Sequence, residues 1–307
     1  MDFQELISPI SKKDFFKDIW SKKPFLIEGP ENKFSSLPNI KDFPRYLSGE
    51  INNNIWKNTN NLKANAVIRN SEGIPNEIRD VPFSMYPHFY NNGFSLCFSN
   101  LQDSILMLND LISDLTRQSQ LWADLYITGY LTPPNSNGII HYDSQHVFFI
   151  QREGKKFWRV SEKNAIKNPV NNYTYNSNDG AFFDYHKKIG SEILPPVKTG
   201  FIDYELSKGS VLYIPPGFYH VQETKNEPSL HYTLSQEQTS FWRSVQSNLF
   251  EIMMKNTDEF NSDLRYLGKD ERFNLLNKQL QELKERVSAL TIEDLEKHLM
   301  SSWESKD

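Results

Sequence analysis

Ile139-Ile140-His141-Tyr142-Asp143-Ser144-Gln145-His146-Val147-Phe148-Phe149-Ile150-Gln151 is the stretch whose reading decides the fold. It is apolar, β-branched and aromatic, with no helical spacing, and predicts a strand. Side chains alternate along a strand, so His141 and Asp143 are expected on one face, two residues apart. An imidazole beside a carboxylate is two thirds of a facial metal site. His220, far downstream, is the expected third member. Two His and one carboxylate on one face of an octahedron leave the other face open, which suits non-haem Fe(II) with a co-substrate and O2 bound side by side.

Working outward, residues 125–131, 155–160, 201–206, 211–214, 221–223 and 230–234 share this two-residue period, with Gly, Pro or Asn between most of them. Seven short strands without a helical pattern among them predict a sandwich or barrel. His141 follows the turn-rich segment Thr132-Pro133-Pro134-Asn135-Ser136-Asn137-Gly138, and His220 follows Ile214-Pro215-Pro216-Gly217. Both are therefore expected at the mouth of a β structure, where pockets form. The polar and aromatic stretch 163–199 interrupts the series, and a loop of that size in a compact domain is usually functional or disordered. His146 falls on the opposite side of its strand from His141. His231 lies on the strand after His220, as a core histidine or a donor behind the metal.

Towards the amino terminus, Ser11 caps a helix from about Lys12 to Trp20, a short strand follows at Phe25-Leu26-Ile27, and further strands are expected at 64–69 and 94–98. Residues 31–62 read as short helices and loops, and 73–93 as surface chain. An amphipathic helix is expected over 101–121. Beyond Gln238 the period becomes helical. Phe241, Trp242, Val245, Leu249 and Ile252 mark one helix. Phe273, Leu276, Leu280, Leu283 and Val287 form a narrow seam on the next. Thr291 and Asp294 open a last one with a capping box.

The chain has 307 residues, 38% of them hydrophobic and 24% charged, which suits a globular protein of one large or two unequal domains. A net charge of −5 argues against a DNA-binding field and is compatible with a basic protein partner. Cys97 stands alone, so no internal disulfide forms, and Leu96 and Phe98 beside it suggest a small buried hydrophobe. Neither a signal peptide nor a membrane span is read from the sequence, and the cytoplasm is the expected compartment.

Several longer stretches together resemble one family. They are Tyr130-Leu-Thr-Pro-Pro-Asn-Ser-Asn-Gly138, His141 to Gln151, Gly154-Lys-Lys156-Phe-Trp158-Arg-Val160, and Tyr204 to Pro215 closing on His220. Trp20-Ser-Lys-Lys-Pro24 with Phe25-Leu-Ile27 adds to them. The sequence resembles the Jumonji-C Fe(II)/2-oxoglutarate oxygenases, and among them the ribosomal oxygenases. The resemblance implies His141, Asp143 and His220 as iron ligands and Lys156 as the cation that pairs with the distal carboxylate of 2-oxoglutarate. A buried dicarboxylate needs such a fixed charge. Tyr130 matches a tyrosine the family uses for the same carboxylate. Thr128 departs from the family, standing where relatives often have Asn, and residues 163–199 match nothing in it.

The sequence therefore predicts a mainly β protein with flanking helices. Residues 1–239 form a double-stranded β-helix (jelly-roll or cupin) domain with an amino-terminal α/β flank. Residues 240–307 form a helical dimerisation region. The expected activity is that of a 2-oxoglutarate-dependent dioxygenase hydroxylating a side chain of a protein or peptide, with a ribosomal protein as the named candidate. The same chemistry on RNA or a small molecule, and a non-catalytic cupin-like binding module, are the alternatives.

Overall fold

Strand Ser229–Gln236 shows how alternation builds the molecule. Leu230, Tyr232 and Leu234 enter one apolar core, while His231, Thr233 and Ser235 are buried on the opposite face. A strand buried on both faces belongs inside a layered fold. The computed structural model describes residues 1–42, 64–69, 75–119, 125–176, 178, 180–188, 193–238, 245–246, 248–250 and 267–295. They fall into two compact units: Met1–Leu115 with Asp124–Glu237, and Thr116–Ala123 with Gln238–Asp307.

In the first unit the strands are β1 (Phe25–Ile27), β2 (Ala64–Arg69), β3 (Pro75–Val81), β4 (Ser95–Phe98), β5 (Leu125–Thr132), β6 (His141–Tyr142), β7 (His146–Glu153), β8 (Lys156–Ser161), β9 (Tyr173–Thr174), β10 (Phe201–Leu206), β11 (Val211–Ile214), β12 (His220–Glu223) and β13 (Ser229–Gln236). They make two antiparallel sheets, ordered β1-β11-β7-β13-β5-β4-β2-β3 and β10-β8-β12-β6-β9. The strand pattern predicts a sandwich or barrel, and the sheets are those of the jelly-roll double-stranded β-helix that the resemblance implies.

One face of the larger sheet packs on the amino-terminal helices α1 (Phe3–Ile7) and α2 (Lys12–Asp18) and on α4 (Leu106–Ser119), with α3 (Tyr86–Asn91) beside them. Phe3, Phe15 and Phe148 meet edge to face or tilted at centroid distances of 5.7–5.9 Å. Each such fully buried ring contributes on the order of 1.5–3 kcal/mol. Ser11 caps α2 as expected, its hydroxyl accepting from Asp14 N–H at 3.1 Å. The other face of this sheet meets the smaller sheet. Val147, Phe149, Leu212 and Ile214 pack there on Trp158, Val160 and Leu206.

Four expectations need correction. Residues 139–151 are not one strand. β6 ends at Tyr142 and β7 begins at His146 in the other sheet. Asp143 and Ser144 give their backbone bonds to Gly217 and the Asn172 side chain instead of a ladder, which lets the chain cross between sheets. Residues 73–93 lie largely at the surface as expected but hold regular structure, β3 and α3: Pro75 sits at the start of an edge strand, and a proline opens α3. The stretch 163–199 carries β9 and a helix, α5 (Gly180–Lys188). Cys97 is half-buried, because Leu96 and Phe98 take the core face of β4 and leave it the other.

In the second unit, α6 (Lys269–Ser288) carries the predicted seam. The Thr291 box forms: Thr291 N–H donates to Asp294 Oδ2 at 3.0 Å, and Asp294 N–H to Thr291 Oγ1 at 3.1 Å. Most of the helix expected from Phe241 to Ile252, and Leu299, lie outside the described residues. Among the described residues no helix is long and apolar enough to cross a membrane.

Candidate metal centre

β12 pairs with β6 so that His220 stands directly opposite His141. Their rings lie 4.2 Å apart between centroids. Each imidazole is oriented by its own backbone. His141 Nδ1 bonds the Ile139 carbonyl at 2.8 Å, and His220 Nδ1 bonds the Phe218 carbonyl at 3.0 Å. A carbonyl only accepts, so Nδ1 is the donor in both rings, and in the neutral imidazole Nε2 is then the nitrogen that can take a metal. That is the tautomer a metal ligand needs.

Asp143 comes from beyond the end of β6 and reaches the pair by the fold of the crossing segment. Its carbonyl accepts from Gly217 N–H at 2.9 Å, and Gly217 begins the turn that delivers His220. Gly217 has φ +79°, and a Cβ there would lie 2.0 Å from the Ile166 carbonyl oxygen, so only glycine fits. Next door, Ser144 N–H and Oγ donate to Asn172 Oδ1 at 2.7 and 2.9 Å. The outcome is a cluster in which ligand atoms of His141, Asp143 and His220 all lie within 4.8 Å of one another.

The cluster fits a divalent cation. His220 Nε2 is buried with no hydrogen-bond partner, 3.4 Å from Asp143 Oδ2. Such an orphan is costly unless something binds it. Burial pushes the Asp143 carboxyl up, but the neighbouring His220 and His141 side chains outweigh burial and hold it below its ordinary value. A carboxylate that stays ionised between two imidazole lone pairs is a hard, charged third ligand.

Further along the interior, Lys156 is 1% exposed on the inward face of β8. Its Nζ donates to Thr132 Oγ1 at 3.1 Å and lies 3.3 Å from His231 Nδ1. Tyr130 stacks flat on His231, 4.9 Å between centroids and 6° between planes. The structure thus brings Tyr130 to the Lys156 group through His231. Trp158, two residues on from Lys156, packs on Phe149 at 3.9 Å, and its Nε1 is buried without a partner. Thr233 Oγ1 is a further orphan on this interior face.

Sequence reasoning missed Thr132 and the position of His231. Thr132 was legible as the next inward residue after Tyr130 on β5. The pairing of His231 with Tyr130 across β13 and β5 needed the register. His146 is remote from the cluster, stacked on Trp20 at 3.8 Å and bonded to the Tyr213 hydroxyl at 2.8 Å; burial lowers its pKa to about 3.

The 163–199 stretch buttresses the metal cluster from behind. Tyr142 and Tyr219, each next to a histidine of the cluster, pack into an aromatic layer with Tyr173, Tyr175, Phe182 and Phe183. Asn172→Ala removes the acceptor of Ser144 N–H and should cost about 1–2 kcal/mol of stability. Chemical denaturation reads that loss, and metal titration should show weakened binding because Asp143 loses its neighbour's anchor. Unchanged denaturation and titration would leave the stretch without this role.

Comparison with known proteins places these residues in a family. Residues 106–243 match the JmjC domain. "Ribosomal oxygenase 1" of Danio rerio is 27% identical over 286 residues, covering 87% of this chain and 47% of its own length. "Bifunctional lysine-specific demethylase and histidyl-hydroxylase NO66" of Drosophila erecta is 30% identical over 255 residues, covering 81% of this chain and 36% of that protein. The chain thus spans less than half the length of these curated relatives. Among solved structures, YcfD, a ribosomal oxygenase from Escherichia coli in complex with cobalt and 2-oxoglutarate, is similar with a TM-score of 0.53 at 18% identity, covering 90% of this chain and 67% of its own. That likeness is one of fold. The two sheets, the matched segment and these relatives agree on a JmjC domain over residues 106–243.

Proposed function

We propose that this chain is an Fe(II)- and 2-oxoglutarate-dependent dioxygenase that hydroxylates a side chain of a protein or peptide, with a ribosomal protein as substrate. The observation that carries the reading is a pair: a two-His, one-carboxylate cluster, and the buried Lys156 on the interior face of the same sandwich. The names of the relatives, ribosomal oxygenase and histidyl-hydroxylase, point the same way.

In this reading His141, Asp143 and His220 hold the iron, and Lys156, with Tyr130 beside it, holds the distal carboxylate of 2-oxoglutarate. Bound there, iron and 2-oxoglutarate supply the activation of O2, with succinate and CO2 as the co-products. The chain's own residues prepare the site. Ile139 and Phe218 carbonyls fix the imidazole tautomers, and Asp143 offsets part of the metal's charge. Phe149 and Trp158 make the interior between cluster and Lys156 apolar, which strengthens the electrostatic hold on a carboxylate. Net charge −5 suits a basic protein segment rather than DNA. A ribosomal protein is met in the cytoplasm, and we assign the chain there.

The test is succinate release from 2-oxoglutarate with iron present, with and without candidate ribosomal proteins, followed by mass spectrometry for one added oxygen atom. Substrate-stimulated succinate and the oxygen adduct are expected. A protein that binds neither iron nor 2-oxoglutarate would instead be a cupin-like binding module.

The domain reading is a β-helix domain over 1–239 followed by a helical dimerisation region over 240–307. The seam on α6 supports it: Phe273, Leu276, Leu280 and Val287 are 64%, 45%, 49% and 41% exposed. A self-complementary helical face favours a closed two-fold homodimer. Leu276→Asp with Leu283→Asp should turn a dimer into a soluble monomer whose iron affinity is unchanged, measured by light scattering. A wild type already monomeric at micromolar concentration would end the dimer reading.

A further inference from the structure

We propose that His231 is a positioning residue that aims Lys156 and so sets the preference of this site for a dicarboxylate co-substrate. The inference rests on the oxygenase reading above and adds a residue to it. Lys156 is a flexible side chain with four rotatable bonds, and a buried ammonium on such a stem is useful only if its direction is fixed. Two groups fix it here. Thr132 Oγ1 takes one proton at 3.1 Å, and His231 Nδ1, at 3.3 Å, takes a second. An ammonium carries three donors and no lone pair, so Nδ1 is the acceptor and the His231 proton sits on Nε2.

His231 is itself held rigidly. It is 2% exposed, with Tyr130 flat on one face and the rings of Phe149 and Trp158 at 6.0 and 5.9 Å. Burial, and then the Lys156 charge, depress its pKa well below the ordinary histidine value, so it stays neutral and an acceptor. A protonated His231 would repel Lys156 and lose that bond. The pairing of His231 with Tyr130 in the β13–β5 register ties the same ring to the tyrosine of the co-substrate group. Thr132, His231 and Tyr130 thus form one rigid cradle that holds the Lys156 ammonium in place.

The test compares two 2-oxo acids of equal chain length on the metal-loaded protein: 2-oxoglutarate, and 2-oxopentanoate, which has a methyl group in place of the distal carboxylate. His231→Leu removes the acceptor while filling the space. It should weaken 2-oxoglutarate binding about tenfold and leave 2-oxopentanoate binding unchanged. His231→Asn, which restores an acceptor oxygen, should recover most of the difference. In a Lys156→Met background, His231→Leu should add nothing. Should His231→Leu fail to fold, His231→Met serves, because its thioether fills the space with only a weak acceptor. Equal loss for both acids, or an effect that persists without Lys156, would show a merely structural histidine and overturn the inference. If Lys156→Met alone leaves 2-oxoglutarate binding untouched, both the co-substrate reading and this inference fall. If Lys156→Met weakens binding and the His231 variants do not, only the inference falls.

Discussion

Asp143→Ala should strip the protein of tightly bound Fe(II) and abolish turnover while leaving it folded. Removing an outer partner of a metal ligand typically costs 10–100-fold in metal affinity, so losing a ligand outright should cost more than about 100-fold. The argument is sharper for Asp143 than for either histidine. It supplies the only formal negative charge in the cluster, and two neutral imidazoles leave a divalent cation uncompensated. Asp143 also lies outside the strands, so its side chain can be cut without disturbing a ladder. The pH dependence follows from the same residue. Its folded pKa lies below the ordinary aspartate value, so its contribution to stability is present above that ordinary value and is lost as pH falls through the depressed one. At neutral pH the metal-free mutant should therefore be slightly less stable than the metal-free wild type. The gap should close in acid. Iron content by metal analysis, with succinate release, decides the matter: wild-type values for both in Asp143→Ala would remove this residue from the metal site.

The parts legible in the sequence are those whose signal is local. Alternation or an apolar run marked β5, β8, β11 and β13, because each is buried on one or both faces and its pattern records that burial. The seam of α6 was legible from its three-and-four spacing, and the capping box after it from the Thr291–Asp294 pair, both local in sequence. The break between β6 and β7 was not. Asp143, Ser144 and Gln145 sit within an apolar run, and what ends the strand is an amide oxygen on Asn172 and an N–H on Gly217, both far away in sequence. The expectation that His141 and Asp143 share a strand face thus named two residues that do come together, for a reason that is not the geometry found. Residue spacing recorded the proximity; the crossing segment produces it. β3 and α3 were missed because Pro75 and Pro87 read as breakers, although each sits where a proline is tolerated. The Lys156 cradle needed the cross-strand register, which places His231 opposite Tyr130, and no single-chain pattern encodes that.

Lys156→Met should separate co-substrate binding from metal binding. The substitution keeps most of the buried volume and removes the charge, so the fold should hold. The substitution removes the desolvation cost of a buried ammonium, which offsets the donor that Thr132 and His231 each lose. Iron affinity should be unchanged, since Lys156 is not in the cluster of His141, Asp143 and His220. The 2-oxoglutarate requirement should rise steeply. A hydrogen bond to a charged group in a dry interior is worth roughly 2–3 kcal/mol, or about two orders of magnitude in affinity. Added salt should not mimic the effect, because a cation with 1% exposure is poorly screened. The mutant should also lose its discrimination against 2-oxo acids without a second carboxylate, since the group that reads that carboxylate is gone. Titration of the metal-loaded mutant with 2-oxoglutarate measures the first effect and competition with 2-oxopentanoate the second. Wild-type affinity in Lys156→Met would mean that another cation holds the distal carboxylate, and that Lys156 is buried for reasons of packing alone.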